Sequence, residues 1–307
     1  MEDRRTLRLA ALALAVLGLG LLDPRLAAAG EKEDVLWTRL RERLHEVEKR
    51  LDGVLGLSVK DLETGALIEV RPDEPFPIAS SIKLAILYEL YRQADAGRID
   101  LAEATRPPRP RVKGAGILQW MGDEATLTWR DLAVLMIALS DNAATNLLID
   151  RVGLLAVNAR LDELGLPDTR LRRRMMDLEA ARRGEENVGT PGELRRLIEA
   201  LHAGRGLSPA AAADLRLVLA IPRESSFRRP LPEGVTVLDK SGELEAVRCV
   251  TAVVDLPGRP YAVSIETTFL RQDADGEEAI REISAVLFDT FDRLSRSSDL
   301  GRIISVR

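Results

Sequence analysis

The sequence predicts an α+β fold, an α/β sandwich with an added all-α subdomain, built on a five-stranded antiparallel sheet flanked by N- and C-terminal helices. Three observations predict it. Short β-prone segments occur near the two ends of the 307-residue chain. The long middle carries helical periodicity. A further helical pattern stands outside the strands at each end. Strands divided in this way form one sheet when the ends fold together, which leaves the middle as an insertion between the second and third strands. A cleft is expected where the two parts meet, and such junctions commonly hold ligands.

The elements follow in order. Val35, Leu36, Leu40, Leu44, Val47 and Leu51 recur at helical spacing among charges, so residues 34–51 read as an amphipathic helix. Two strands, Gly56–Asp61 and Ala66–Val70, are joined at the turn signal Thr64-Gly65. Residues 80–95 are apolar on most sides and read as a buried helix. Residues 99–220 read as almost wholly helical, with helices over Thr128–Leu139, Ala143–Val152, Leu154–Leu164, Pro191–Leu201 and Pro209–Leu219. The charged, weakly periodic stretch Gly165–Thr190 interrupts them, and a loop of that length is usually functional. Strands return at Val235–Asp239, Arg248–Val254 and Tyr261–Thr268, and Glu277–Arg293 closes the chain as a helix.

The first 29 residues read as a secretory signal peptide. Arg4, Arg5 and Arg8 precede the apolar run Leu9–Leu22, and Ala27-Ala28-Ala29 offers a small-residue cleavage site. That run of 14 residues is short of the ~20 that span a bilayer, which favours a cleaved signal over the other reading, an uncleaved membrane anchor. The expected product is an exported domain, periplasmic or extracellular, without stable membrane insertion. It comprises residues 30–307, with an α/β part over 30–79 and 221–307 and a helical part over 80–220. A net charge of −5 with both signs interspersed excludes a nucleic-acid patch. The basic run Arg170–Arg174 reads as a solvated or ion-paired loop surface.

One cysteine, Cys249, lies between β-prone flanks and reads as a buried thiol. His45 and His202 sit in charged helical stretches and read as surface residues. Two distant histidines and one cysteine make no zinc set, and no cofactor is expected. They also leave no Ser-His-Asp triad, so a nucleophile here needs another base.

Ser80-Ser81-Ile82-Lys83 supplies one. A serine at a helix start lies near free N–H groups and the positive end of the helix dipole. A lysine three residues on shares its face, and a desolvated amine takes a serine proton. Taken singly, the tetrapeptide also fits a helix start with a solvated lysine. Ser140-Asp141-Asn142 also fits a helix cap, and Lys240-Ser241-Gly242 also fits a strand leaving into a turn.

Together and in this order, S-x-x-K, S-D-N and K-S-G resemble the class A β-lactamases and penicillin-binding proteins. Phe76, the stretch Asp141–Leu148 and Thr190-Pro191 extend the likeness over roughly residues 35–295. The resemblance implies the β-lactamase/transpeptidase-like fold and a monomer acting on a β-lactam or a cell-wall peptide. It implies Ser80 as acylated nucleophile, Lys83 as proton acceptor and Ser140 as relay to the leaving nitrogen. Asn142 would bind the substrate amide, and Lys240 and Ser241 the substrate carboxylate. The backbone N–H groups of Ser80 and Glu243 would form the oxyanion hole. Arg248 falls near the family's carboxylate-binding arginine, about one residue short of the usual spacing.

The pattern breaks in the Ω loop. Met175 takes the place of the glutamate that activates water against the acyl-enzyme, and methionine accepts no proton. Asn187 stands where relatives carry an aspartate that pairs with the loop arginine, here Arg173. Gly114-Ala115-Gly116 replaces an aromatic at the cleft entrance, which suggests a wider site. Three functions follow from the resemblance: a β-lactamase-type hydrolase, a penicillin-binding or peptidase-like protein that releases β-lactams slowly, and a non-catalytic receptor. The intact Ser80, Lys83, Ser140 and Lys240 argue against the receptor. Met175 separates the other two, unless Asp177 or Glu179 substitutes as base.

Overall fold

The computed structural model describes residues 24–298 and 301–303. The charged start and apolar run of the expected signal peptide lie outside the described residues, while Ala27–Ala29 fall in the first turns of helix α1 (Pro24–Arg50). Among the described residues no helix is long and apolar enough to cross a membrane.

After α1 come β1 (Val54–Asp61), β2 (Leu67–Val70), a two-residue strand β3 (Phe76–Pro77), a 3₁₀ turn (Ala79–Ile82) and α2 (Lys83–Asp95). The middle holds β4 (Ala104–Thr105), a 3₁₀ turn (Leu118–Trp120), β5 (Leu127–Thr128), α3 (Trp129–Ala138), α4 (Asn142–Val152), α5 (Leu154–Glu163), α6 (Leu178–Arg182), β6 (Val188–Gly189), α7 (Pro191–His202) and α8 (Pro209–Ala220). The chain ends with β7 (Thr236–Leu244), β8 (Val247–Asp255), β9 (Tyr261–Thr268) and α9 (Asp273–Arg296).

The main sheet has the order β2-β1-β9-β8-β7, antiparallel throughout. β1 pairs with β9, so the two ends of the chain meet at the centre of the sheet, as predicted. One face packs on α1 and α9 through Leu40, Leu44, Ile265, Ile283 and Phe291. The other contributes Leu238, Val253 and Ala262 to a core shared with the helical region, including Ile82, Leu87, Leu132 and Leu197. Residues on the helices and on this face of the sheet therefore share one packed core.

Two expectations are corrected. Residues 99–128 are mostly irregular, because Pro107, Pro108 and Pro110 lack backbone donors and Gly114, Gly116 and Gly122 favour turns. β7 also runs on through Lys240, Ser241 and Gly242 to Leu244 instead of ending before them. Pairing with β8 stabilises the polar segment there, from Lys240 opposite Thr251 to Glu243 opposite Arg248.

Candidate active site

Ser80 stands in the 3₁₀ turn before α2, rather than within the first α-helical turn. Ala79 before it is left-handed at φ 45°, a strained geometry for a residue with a Cβ. Neighbours hold the turn against that strain. Ser81 Oγ donates to Lys240 O at 3.3 Å, and Ser81 N donates to Ile78 O at 2.9 Å. The Cys249 thiol lies below, 3.4 Å from Ser81 Oγ and 3.2 Å from Ile78 O. Cys249 is buried as expected, and burial pushes its thiol up to about 12, so it packs and does not react. A Cβ on Gly242 would lie 2.7 Å from both Ser80 N and Cys249 Sγ. Only glycine lets β7 pass this close to the nucleophile's N–H, with Glu243 next along the strand.

Lys83 begins α2 and is fully buried. Its Nζ donates to Ser140 O at 2.7 Å, Ser140 Oγ at 2.9 Å and Asn142 Oδ1 at 3.2 Å. Ser140 Oγ in turn donates to Ser80 Oγ at 2.9 Å. The path from Lys83 to Ser80 thus runs through Ser140. Burial holds the Lys83 amine well below its ordinary range, nearby Lys240 pushes it the same way, and Asp141 offsets part of this. A neutral Lys83 reverses the chain. Its lone pair accepts from Ser140, which accepts from Ser80, and the serine becomes an alkoxide-like nucleophile.

Ser140 occupies the break between α3 and α4 at φ 52°. Asp141 fixes the break: its Oδ1 caps α4 at Ala144 N (2.9 Å), and its Oδ2 accepts from Leu118 N (2.7 Å). The capping reading of S-D-N thus falls on Asp141, while Ser140 and Asn142 on either side of it bond to Lys83. Gly116 sits against Asp141, where a Cβ would approach its carboxylate to 2.2 Å, and Asn142 N donates to Ala115 O at 3.1 Å. The glycines at the entrance are thus required by the packing of this loop on Asp141 and Asn142.

Lys240 is buried inside β7, and its Nζ donates to Ser241 O at 2.6 Å. Burial, then Arg223, lowers its amine to about 8, with Asp239 opposing. Arg223 and Arg228 both bind the buried Asp239 Oδ1, at 2.7 and 2.6 Å. The pleat sends Ser241 and Glu243 to the face opposite Lys240. Arg248 pairs with Glu243 across the ladder and lies on that same face. Its guanidinium is engaged by Asp273 at 2.9 Å, Glu277 at 3.1 Å and the carbonyls of Leu244 and Val247, each at 2.9 Å. The structure thus brings Ser80, Lys83, Ser140 and Asn142 into one hydrogen-bonded cluster, with Lys240 close enough to bias Lys83, while Arg248 is tied to α9.

In the Ω loop, Met175 is buried in the helical core. Asn146 on α4 holds its backbone from both sides: Oδ1 accepts from Met175 N at 2.8 Å, and Nδ2 donates to Met175 O at 3.1 Å. Asp177 caps α6 through Ala180 N, and exposed Glu179 pairs with Arg182, so the two acids named as substitutes for the glutamate are engaged elsewhere. Arg173 pairs with Glu186 at 2.7 Å, and Asn187 Oδ1 accepts from Arg172 N and Arg173 N at 2.8 and 3.0 Å. One residue takes the charge and its neighbour the backbone. Arg170 and Arg174 pair with Asp162 and Asp150. His45 is exposed beside Glu48, while His202 is partly buried near Asp255, more so than its charged helix suggested.

Sequence reasoning missed Asn146, Glu193 and Glu266. Glu193 anchors the base of the loop, accepting from Thr169 N (2.6 Å), Thr169 Oγ1 (2.7 Å) and Asp168 N (3.1 Å). The signal for it was Thr190-Pro191-Gly192-Glu193, a capping-box pattern whose glutamate turns instead to the loop.

A serine linked through a hydroxyl to a buried, depressed lysine, on this sheet-and-helix scaffold, defines a serine acyl-enzyme site. Residues 39–291 match the model of the Beta-lactamase enzyme family, and the chain belongs to that family. It is 29% identical over 251 residues to a β-lactamase of Rhodobacter capsulatus, covering 79% of this chain and 83% of the relative. The crystal structure of a β-lactamase from Sphaerobacter thermophilus superposes with a TM-score of 0.77 at 30% identity, covering 83% of this chain and 97% of that one. A PBP-A mutant, solved as an acyl-enzyme complex with penicillin G, superposes with a TM-score of 0.75 at 29% identity, covering 83% and 97%.

Proposed function

We propose that this protein opens β-lactam rings through an acyl-enzyme on Ser80. The observation that carries the reading is the hydrogen-bond chain from Lys83 through Ser140 to Ser80. In acylation, Ser80 Oγ bonds to the lactam carbonyl carbon as its proton passes through Ser140 to Lys83. Charge on the tetrahedral oxygen is met by the N–H groups of Ser80 and Glu243. The C–N bond then breaks, and the proton held by Lys83 returns through Ser140 to the leaving nitrogen. Asn142 contacts the substrate amide, while Lys240 and Ser241 hold its carboxylate. The chromogenic test is a cephalosporin mixed with the purified protein, with colour and protein mass followed together. Colour release with a transient adduct on Ser80 is expected. The absence of both colour and adduct overturns the reading.

A second reading is a penicillin-binding or peptidase-like protein acting on cell-wall peptides and slow to release β-lactams. Buried Met175 favours it, because the second half-reaction needs a base beside the attacking water. PBP-A, captured as a penicillin G acyl-enzyme, is a relative in keeping with this reading. A persistent adduct distinguishes it from efficient turnover. For either substrate we propose an exported protein, periplasmic or extracellular, on the strength of the arginine-led apolar run at the N-terminus, and, from the family resemblance, a monomer. Fractionation of expressing cells, with N-terminal sequencing of the product, tests export; sedimentation tests the monomer.

A further inference from the structure

Beside β1 and α7 lies a cavity of about 180 Å³ that shares no lining residue with the catalytic cluster. Its charged lining is Lys60, Arg195, Arg196, Arg205 and Glu199, four cations against one carboxylate. Glu199 is shared between Lys60, at 2.9 Å, and Arg195. Arg195 is buried and fixed, its Nε donating to Ser58 Oγ at 2.7 Å. Glu69 approaches Arg195 only to 4.0 Å and already accepts from Ser58 Oγ. Glu193 approaches Arg196 only to 3.9 Å, and its oxygens are taken by Asp168 and Thr169. Among the described residues no carboxylate pairs with Arg205.

We infer that this cavity is a binding site for a small phosphate-class dianion. The positive lining favours an anion, and two exposed guanidinium groups at the mouth offer the fork geometry that grips tetrahedral oxyanions. Buried Arg195 and half-buried Lys60 line the rest. Size sets the class of ligand. A water takes about 30 Å³ of liquid, so the cavity holds a phosphate with part of its hydration shell. It falls below the ~300 Å³ at which drug-sized ligands fit, so it is not a second β-lactam site.

Thermal unfolding of the full-length chain in inorganic phosphate, at constant ionic strength made up with sodium chloride, tests this. The midpoint is expected to rise by a few degrees and saturate, because a ligand that binds only the folded state stabilises it by mass action. The double variant Arg196→Ala/Arg205→Ala removes two exposed side chains and keeps the folded core. It should unfold at nearly the wild-type midpoint without phosphate and need at least tenfold more phosphate for the same rise. Glycerol 3-phosphate matching inorganic phosphate identifies a phosphate carried on an organic molecule; inorganic phosphate acting alone identifies the free ion. A rise that never saturates, or equal phosphate dependence in both proteins, overturns the proposal.

Discussion

Glu266→Gln should change the pH dependence of stability, and the structure sets the size of the effect. Glu266 lies in the central region of the sheet on β9, opposite Cys249 and with no exposed surface. Ser264 Oγ donates to its Oε1 at 2.7 Å, while Oε2 is buried without a partner. Burial raises its carboxyl from 4.5 to about 8, and the Ser264 bond only partly opposes this. The folded protein therefore keeps a proton that the unfolded chain releases. With the folded state holding one more proton, stability falls by about 1.4 kcal/mol per pH unit between these two values. The contribution is fully present below pH 4.5 and is lost as pH rises through 8. From pH 5 to pH 8 the loss is about 3 kcal/mol. Glutamine keeps an acceptor for Ser264 and carries no titratable proton. Urea unfolding of wild type and Glu266→Gln at pH 5, 6, 7 and 8 reads the difference between the two curves, in which other titrating groups cancel. The curves should diverge steadily, with wild type losing ground to the variant toward pH 8. Parallel curves would falsify the buried-acid argument.

Three outcomes bear on the catalytic cluster. Ser80→Ala should abolish covalent labelling by a penicillin while leaving the unfolding midpoint intact; label mapped to another residue by peptide mass spectrometry excludes Ser80. Lys240→Ala should slow acylation by carboxylate-bearing β-lactams about ten- to a hundredfold, the scale of a lost hydrogen bond to a charged group; rates equal to wild type at both low and high salt would remove Lys240 from substrate binding. Wild type should give a burst near one equivalent and then slow turnover, and Met175→Glu should speed the slow phase by up to about 10²–10⁴ with little change in the burst. Linear turnover by wild type without an adduct would show that a second base already operates.

The architecture was legible because its signals are local or periodic. β-prone composition marked β8 and β9, helical spacing marked α1 and α9, and their positions at the two ends implied one sheet. S-x-x-K, S-D-N and K-S-G were legible because each is a contiguous motif. Residues 99–128 depart from the helical reading because Pro107, Pro108 and Pro110 and then Gly114, Gly116 and Gly122 interrupt any helical run there.

What the sequence by itself determined is the inventory: a serine with a lysine one turn on, no histidine to assist, and a methionine where a base is needed. Only the tertiary structure decided how those groups connect. Lys83 meets Ser140 across 57 residues of chain, and the bond passes to Ser80 through that hydroxyl because Ser140 is held left-handed at a helix break. Asn187 carries no charge, and the path of the loop brings Glu186, one residue before it, to the Arg173 guanidinium while Asn187 holds the backbone. Lys240 and Arg248 part company for a similar reason: the pleat of two paired strands places them on opposite faces of the sheet. Burial completes the site, since packing that takes Lys83 out of water disfavours its charged form and pushes its amine well below the ordinary range.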